Sequence, residues 1–277
     1  MRTVYLENNA INRALEAGLS GKVLRVLLER QGMIPVIGIT TVVETARELL
    51  EPTDPSHCLE KCQILADLCP RIAEQGYRLL QKELAAHRTG VSVSPFVSAP
   101  ERKSIQKEIN EYTHGHMSLA RQTYILQRYT RATEGQRGFW ENVIEKVRED
   151  KECDPILFRV IRSLCQFENW IRPEFPTAAR RILENMGELV TETEATEMVN
   201  TLDNYPALRT VIRANVLLKY HAQKNLQPPA RNRIWDYHHL AEGSYCNVFV
   251  TDDSKLIDHA GYIHPQLQVR RFGEVIC

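Results

Sequence analysis

The stretch Val4-Tyr5-Leu6-Glu7-Asn8-Asn9 sets an apolar strand directly against an acidic residue and two asparagines. Thr3–Leu6 suits a short strand, and Asn8 or Asn9 suits the cap of a helix through Ala17, where Gly18 stops it. A second helical run, Ser20–Gln31, keeps Val23, Leu24, Leu27 and Leu28 apolar and ends at Gly32. Met33–Ile39 follows as an apolar segment of strand length, with Pro35 near its start, where a missing backbone donor matters least. Thr40 or Thr41 then caps a helix that closes at Glu51-Pro52. Strand, helix, strand, helix is the rhythm of a parallel sheet covered by helices.

The C-terminal end resumes that rhythm. Trp235–Glu242 reads as a helix with Asp236 at its start, Asn247–Val250 as a compact strand, and Ser254–His259 as a short helix. Gln268–Phe272 is a candidate last strand. Between Pro55 and Pro229 helical periodicity takes over, in runs such as Leu59–Leu68, Ile72–Leu84, Phe139–Arg148, Ile156–Trp170 and Ala207–Tyr220. Thr89–Pro100 is the clearest loop, and no repeat of fixed period appears. The expected organisation is an α/β domain built from residues 1–52 and 231–277, with 53–230 as a large all-α insertion packed on or beside it.

Composition narrows the class. With 277 residues, 43% apolar and 25% charged, the chain has the make-up of a globular protein. No apolar run approaches the roughly 18–20 residues that cross a bilayer, and the N-terminus lacks a secretory leader, so a cytoplasmic location without membrane contact is expected. The seven cysteines are odd in number and irregular in spacing, which favours reduced thiols over a disulfide framework. Net charge is zero, yet Tyr205–Trp235 holds no acidic residue and carries Arg209, Arg213, Arg231 and Arg233. Arg121, Tyr124 and Arg128 would share another basic helix face. Both stretches are candidate contacts for nucleic-acid phosphates. His238 and His239, one turn beyond Asp236, suit packing or surface roles, with metal ligation the lesser alternative.

Four acids stand at strand and helix boundaries: Glu7, Glu44, Asp236 and Asp253. In a parallel sheet, residues just past the strand ends share one edge, where such folds place ligands. Carboxylates crowded there repel one another unless cations lie between them, and hard oxygen ligands suit Mg²⁺ or Mn²⁺.

The blocks Leu-Glu-Asn-Asn-Ala-Ile-Asn-Arg-Ala-Leu from Leu6, Thr-Thr-Val-Val-Glu-Thr-Ala from Thr40, and Trp235–Leu256 together resemble the PIN-domain family. That resemblance covers about a third of the chain and implies a metal-dependent ribonuclease fold, a parallel sheet with helices on both faces. It implies that Glu7, Glu44, Asp236 and Asp253 form a catalytic quartet, that Glu7, Asp236 and Asp253 hold Mg²⁺ or Mn²⁺, and that Asn9, Thr251 and Asp252 support them. Two positions depart from the family pattern: Glu7 stands where Asp is usual, and Asn247 where many members carry a further Asp. The implied function is RNA phosphodiester hydrolysis, in the manner of a toxin or defence effector that a protein partner neutralises. The alternative is a silent module of the same fold that binds RNA or a partner, and self-association is compatible with either.

Overall fold

The computed structural model describes residues 1–50, 54–127, 141, 144–145, 148–149, 152, 161–225 and 231–276, with the side chains of 225 and 231–234 left aside. Its centre is a five-stranded sheet, all parallel, in the order β3-β2-β1-β4-β5. Strand β1 is Arg2–Leu6, β2 Met33–Gly38, β3 Arg71–Ala73, β4 Val248–Val250 and β5 Gln268–Arg270. From β1 the chain moves outward on one side to β2 and β3, then returns to β1's other side for β4 and β5. The carboxyl ends of β1 and β4 therefore flank the point where strand order reverses, the usual ligand crevice of a doubly wound sheet.

Strand β1 pairs with β2 over Arg2–Tyr5 and with β4 over Val4–Leu6, so that Val4 lies opposite Pro35 and Val248, and Tyr5 opposite Val36 and Phe249. Its side chains alternate between two cores, as the two-residue period of a strand requires. Val4 and Leu6 pack with Ile11, Leu24, Leu28 and Leu65 on one face. Tyr5 packs on the other with Val36, Leu240, Phe249 and Leu256, its ring stacked on Phe249 at 5.1 Å. A strand buried on both faces reads as an unbroken apolar run, which is how Val4-Tyr5-Leu6 appears in sequence.

The first face carries α1 (Asn8–Glu16), α2 (Gly21–Arg30), α3 (Ile39–Leu50), α4 (Pro55–Leu68) and α6 (Ala99–Tyr112), of which α4 packs against α1, α2 and α3, while α5 (Gly76–Thr89), between α4 and α6 in the chain, packs against later helices. Ser20 caps α2 through Val23 N at 3.3 Å. The division expected at residue 53 is therefore displaced, because α4 covers this sheet and β3 is its edge strand. The run expected as a helix from Ile72 is a strand to Ala73, where the Ile72 carbonyl also accepts from Val97 N at 3.1 Å, and α5 begins only at Gly76. Residues 119–127 are helical. Most of Phe139–Arg148, and residues 156–160, lie outside the described residues.

Helices α7 (Leu164–Ile171), α8 (Phe175–Glu184), α9 (Glu192–Asn200) and α10 (Pro206–Asn225) share a third core with α5, through Leu79, Leu84, Ala179, Leu183, Leu208 and Ile212. Helix α11 (Arg231–Glu242) precedes β4, α12 (Ser254–Ile263) separates β4 from β5, and α13 (Gly273–Ile276) ends the described chain. Asp236 accordingly stands in the middle of α11, since that helix starts five residues before it.

Fully buried Glu83 of α5 ties this helical layer to the rest. Its carboxylate accepts from Ala207 N at 2.7 Å, Leu208 N at 2.9 Å and the Tyr245 hydroxyl at 2.8 Å. The first two are open amides of the α10 N-terminus, where a negative group is favourable. Glu83→Gln turns an NH₂ toward one of those donors. It is expected to lower unfolding free energy by about 1–3 kcal/mol, read as a shifted denaturant midpoint; an unmoved midpoint would remove Glu83 as the tie.

Candidate active site at the carboxyl edge of the sheet

Where β1 ends, Glu7 takes an extended conformation and starts α1, its carbonyl accepting from Ala10 N and Ile11 N. Its side chain does not cap that helix and lies 6% exposed at the switch point. Helix α3 supplies Glu44 and, one turn on, Glu48; α11 supplies Trp235 and Asp236. A cavity of about 220 Å³ is lined by Glu7, Asn8, Asn12, Glu44, Arg47 and Asp236, among others. Three of the four predicted acids thus share one cavity. Asn9 ties the two strand ends together beside it, donating to Thr251 Oγ1 at 3.0 Å and accepting from Asp252 N at 3.3 Å.

The fourth acid is elsewhere. Asp253 is not among the residues lining this cavity, and its Oδ1 caps α12 by accepting from Lys255 N at 2.8 Å and Leu256 N at 3.0 Å. Asp252 faces Arg13 at 3.4 Å and accepts from Phe272 N at 3.3 Å. Asn247 belongs to the opposite edge of the sheet, where its side chain accepts from Thr3 N at 2.8 Å. An acid missing at that position therefore removes nothing from the cavity.

The residue that sequence reasoning placed in packing or on the surface is central. His239, 1% exposed, puts Nε2 2.9 Å from Glu44 Oε2 and Nδ1 2.9 Å from the Tyr5 hydroxyl. Tyr5 donates in turn to Glu242 Oε2 at 3.1 Å, and Glu242 accepts from the Thr40 amide and, at 2.8 Å, from its hydroxyl. A protonated imidazole donates from both nitrogens, which completes a continuous chain Glu44–His239–Tyr5–Glu242. Gly38 makes room for it: a Cβ there would fall on Glu242 Oε2 and the Tyr5 hydroxyl. The one signal available in sequence was the spacing of Asp236, His239 and Glu242 by three, which aligns them along one helix face.

The electrostatics follow from burial and neighbours. Burial, with Asp236 and Glu44 adding to it, raises the Glu7 carboxyl to about 7 against the pull of His239 and Thr251. Burial likewise raises Glu242 to about 7. Burial also works against charge on Glu44, but His239, with Lys61 and Arg47, outweighs it and holds Glu44 below its usual range. Burial disfavours the His239 cation too, yet Glu44, Glu7 and Glu242 lift it to about 9. Part of the counter-charge that crowded acids require thus comes from the chain itself, including Lys61 on Glu48 at 2.8 Å.

The proposed phosphate contacts fare differently. Arg209 is 1% exposed, bound to Asp203 at 2.7 Å and turned toward the His264 ring, so it is an interior cation rather than a surface one. The absence of acids after Tyr205 misled here, because Asp203 lies just upstream of that stretch. Arg213 donates to the Tyr262 carbonyl at 3.2 Å and lies over that ring. Arg121 pairs with Glu108 at 2.9 Å and donates to the Tyr112 hydroxyl. Arg128 and the side chains of Arg231 and Arg233 lie outside the described residues.

Oxygen ligands for a hard cation are present. Glu7 Oε2, Asn8 Oδ1 and Asn12 Oδ1, from three cavity-lining residues, are buried without a hydrogen-bond partner. Among the described residues no group of three or more His, Cys, Asp or Glu is arranged to hold a metal. The set therefore fits an ion held by one or two carboxylates with amide oxygens and water, the habit of Mg²⁺, and not a closed protein cage.

No family model matches this chain, and no curated protein or solved structure does either. Fold and site together define an α/β protein with a doubly wound parallel sheet and an acidic cavity at its switch point. Among the described residues no helix is long and apolar enough to cross a membrane.

Folding stability carries the signature of this network. Glu7 and Glu242 keep their protons up to about 7 in the folded chain but lose them near 4.5 when unfolded, so stability falls as pH rises between those values. The His239 cation contributes fully below its unfolded value of 6.5 and loses that contribution as pH rises through about 9. Both slopes have the same sign. The thermal midpoint is expected to fall from about pH 5 to about pH 9, and a midpoint that rises over this range would contradict the network.

Proposed function

We propose that the chain is a PIN-like, divalent-metal-dependent endoribonuclease whose centre is the acidic cavity at the end of β1. The observation that carries this reading is the convergence of Glu7, Glu44 and Asp236 from three elements far apart in sequence at the switch point of the sheet. Glu7 and Asp236, with the amide oxygens of Asn8 and Asn12, would hold Mg²⁺ or Mn²⁺. The bound ion would supply an acidified water and offset charge on the phosphate oxygens. Glu44, kept ionised by His239, is the acceptor for the proton that the attacking water releases, and His239 holds that carboxylate in one orientation. Asn9 and Thr251 fix the side chain of Glu7.

A second reading, a silent module of this fold that binds RNA without cutting it, is favoured by two observations. The His239 side chain already lies on Glu44, and Asp253 is engaged as a helix cap. The two readings part on one experiment. Under the first, Mn²⁺ binds with measurable heat and RNA cleavage depends on it, while Glu7→Gln and Asp236→Asn each lower cleavage by about 100-fold or more with the thermal midpoint retained. RNA binding without turnover at any Mn²⁺ concentration selects the second.

A further inference from the structure

A second cavity of about 290 Å³ lies against the same helix that supplies Asp236. Helices α5, α10 and α11 form its walls, and Trp235 lines both this cavity and the acidic one. Tyr77, Trp235 and Tyr237 contribute aromatic side chains; Leu80, Val211 and Leu218 contribute aliphatic ones. Small residues at Gly76, Ala214 and Ala241 keep the space open. The polar groups are few: the Gln75 and Asn215 amides, His238, and the Thr40–Glu242 pair at the end of the buried chain described above.

The charge of this lining restricts what it can take. Among the described residues it contains no lysine or arginine and one carboxylate, so a phosphate or carboxylate group is disfavoured there. An aliphatic chain would leave the amides and Glu242 facing hydrocarbon. A flat, neutral ring with hydrogen-bonding edges suits both the aromatic walls and the polar groups, and a volume near the lower end of small-ligand sites suits one such ring system. Trp235 as a common wall makes the two cavities neighbours, one apolar and aromatic, the other lined by oxygen ligands.

We infer that this second cavity is a nucleobase subsite, which receives one unstacked base of the strand whose phosphate lies at the acidic cavity. The inference rests on the nuclease reading for the second half of that statement only. Tyr77, 40% exposed at the mouth, is the stacking partner that a base meets on entry. Since Glu242 also closes the hydrogen-bonded chain to Glu44, a base donating to Glu242 would touch the same network that orients the general base.

The test uses uncharged nucleosides and no metal. Calorimetric titration of adenosine, guanosine, cytidine and uridine into the full chain is expected to show saturable binding of at least one. Tyr77→Ala should weaken it about ten-fold or more, and Asp236→Asn should leave it unchanged. Tyr77 is half out in solvent, so its loss leaves the core intact, and Ala214→Phe, which fills the cavity, is the second variant and should abolish binding. Absence of nucleoside binding, or binding indifferent to both variants, overturns the subsite even if RNA is cut. Nucleoside binding in a chain that never cleaves RNA sustains the subsite and removes the nuclease reading. Where both hold, RNA with an abasic residue at the cut position should be cleaved about ten-fold less efficiently, through KM; equal cleavage severs the pocket from the substrate strand.

Discussion

Pairing of β1 with a parallel neighbour on each side is the constraint from which the remaining arrangement follows. A strand whose Val4–Leu6 segment is buried on both faces has its direction and register fixed twice over, by Met33–Val36 and by Val248–Val250. Its last residue then delivers Glu7 to the one edge where strand order reverses. Once that carboxylate is buried, the neighbouring elements must supply either protons or cations for it, and α11 supplies an imidazole. The fold thus imposes the electrostatic problem before any function uses it.

The solution is a chain of groups and not a single ion pair. Isolated buried charges are expensive, and a buried pair is tolerable only when its remaining donors and acceptors are engaged. Here both nitrogens of His239 have partners, Tyr5 uses its oxygen as acceptor and its proton as donor, and Glu242 ends on the first turn of α3 through Thr40. Every link joins residues at least 195 positions apart in the sequence. Two cavities of opposite character, one aromatic and one acidic, lie at the two ends of this chain and share Trp235 between them.

Much of this was legible in the sequence, for definite reasons. Strands β1, β2 and β4 are compact apolar runs bounded by caps and glycine, so their type followed from composition, and Glu7, Glu44 and Asp236 followed from strand ends and local spacing. Strand β3 was not legible because three residues carry no period, and Ile72 fitted the helical pattern of α5 equally well. The start of α11 was misplaced because Asp236 looks like a helix-opening acid. The role of His239 depends on Tyr5 and Glu44 approaching it from other elements, which no local pattern encodes. Arg209 failed for the same reason in reverse: its charge was visible, its burial against the His264 ring was not.

Gly38 gives the network a heritable mark. Because no side chain atom can exist at that position while Glu242 and the Tyr5 hydroxyl lie against the backbone, the two sites form one trait. A descendant of this chain is released from glycine at 38 only if it both shortens residue 242 and loses the Tyr5 hydroxyl, and one that gains a methyl at 38 must first surrender or displace both oxygens. Paired change at these positions would therefore track the presence of the buried relay through a lineage, independently of what the cavity does.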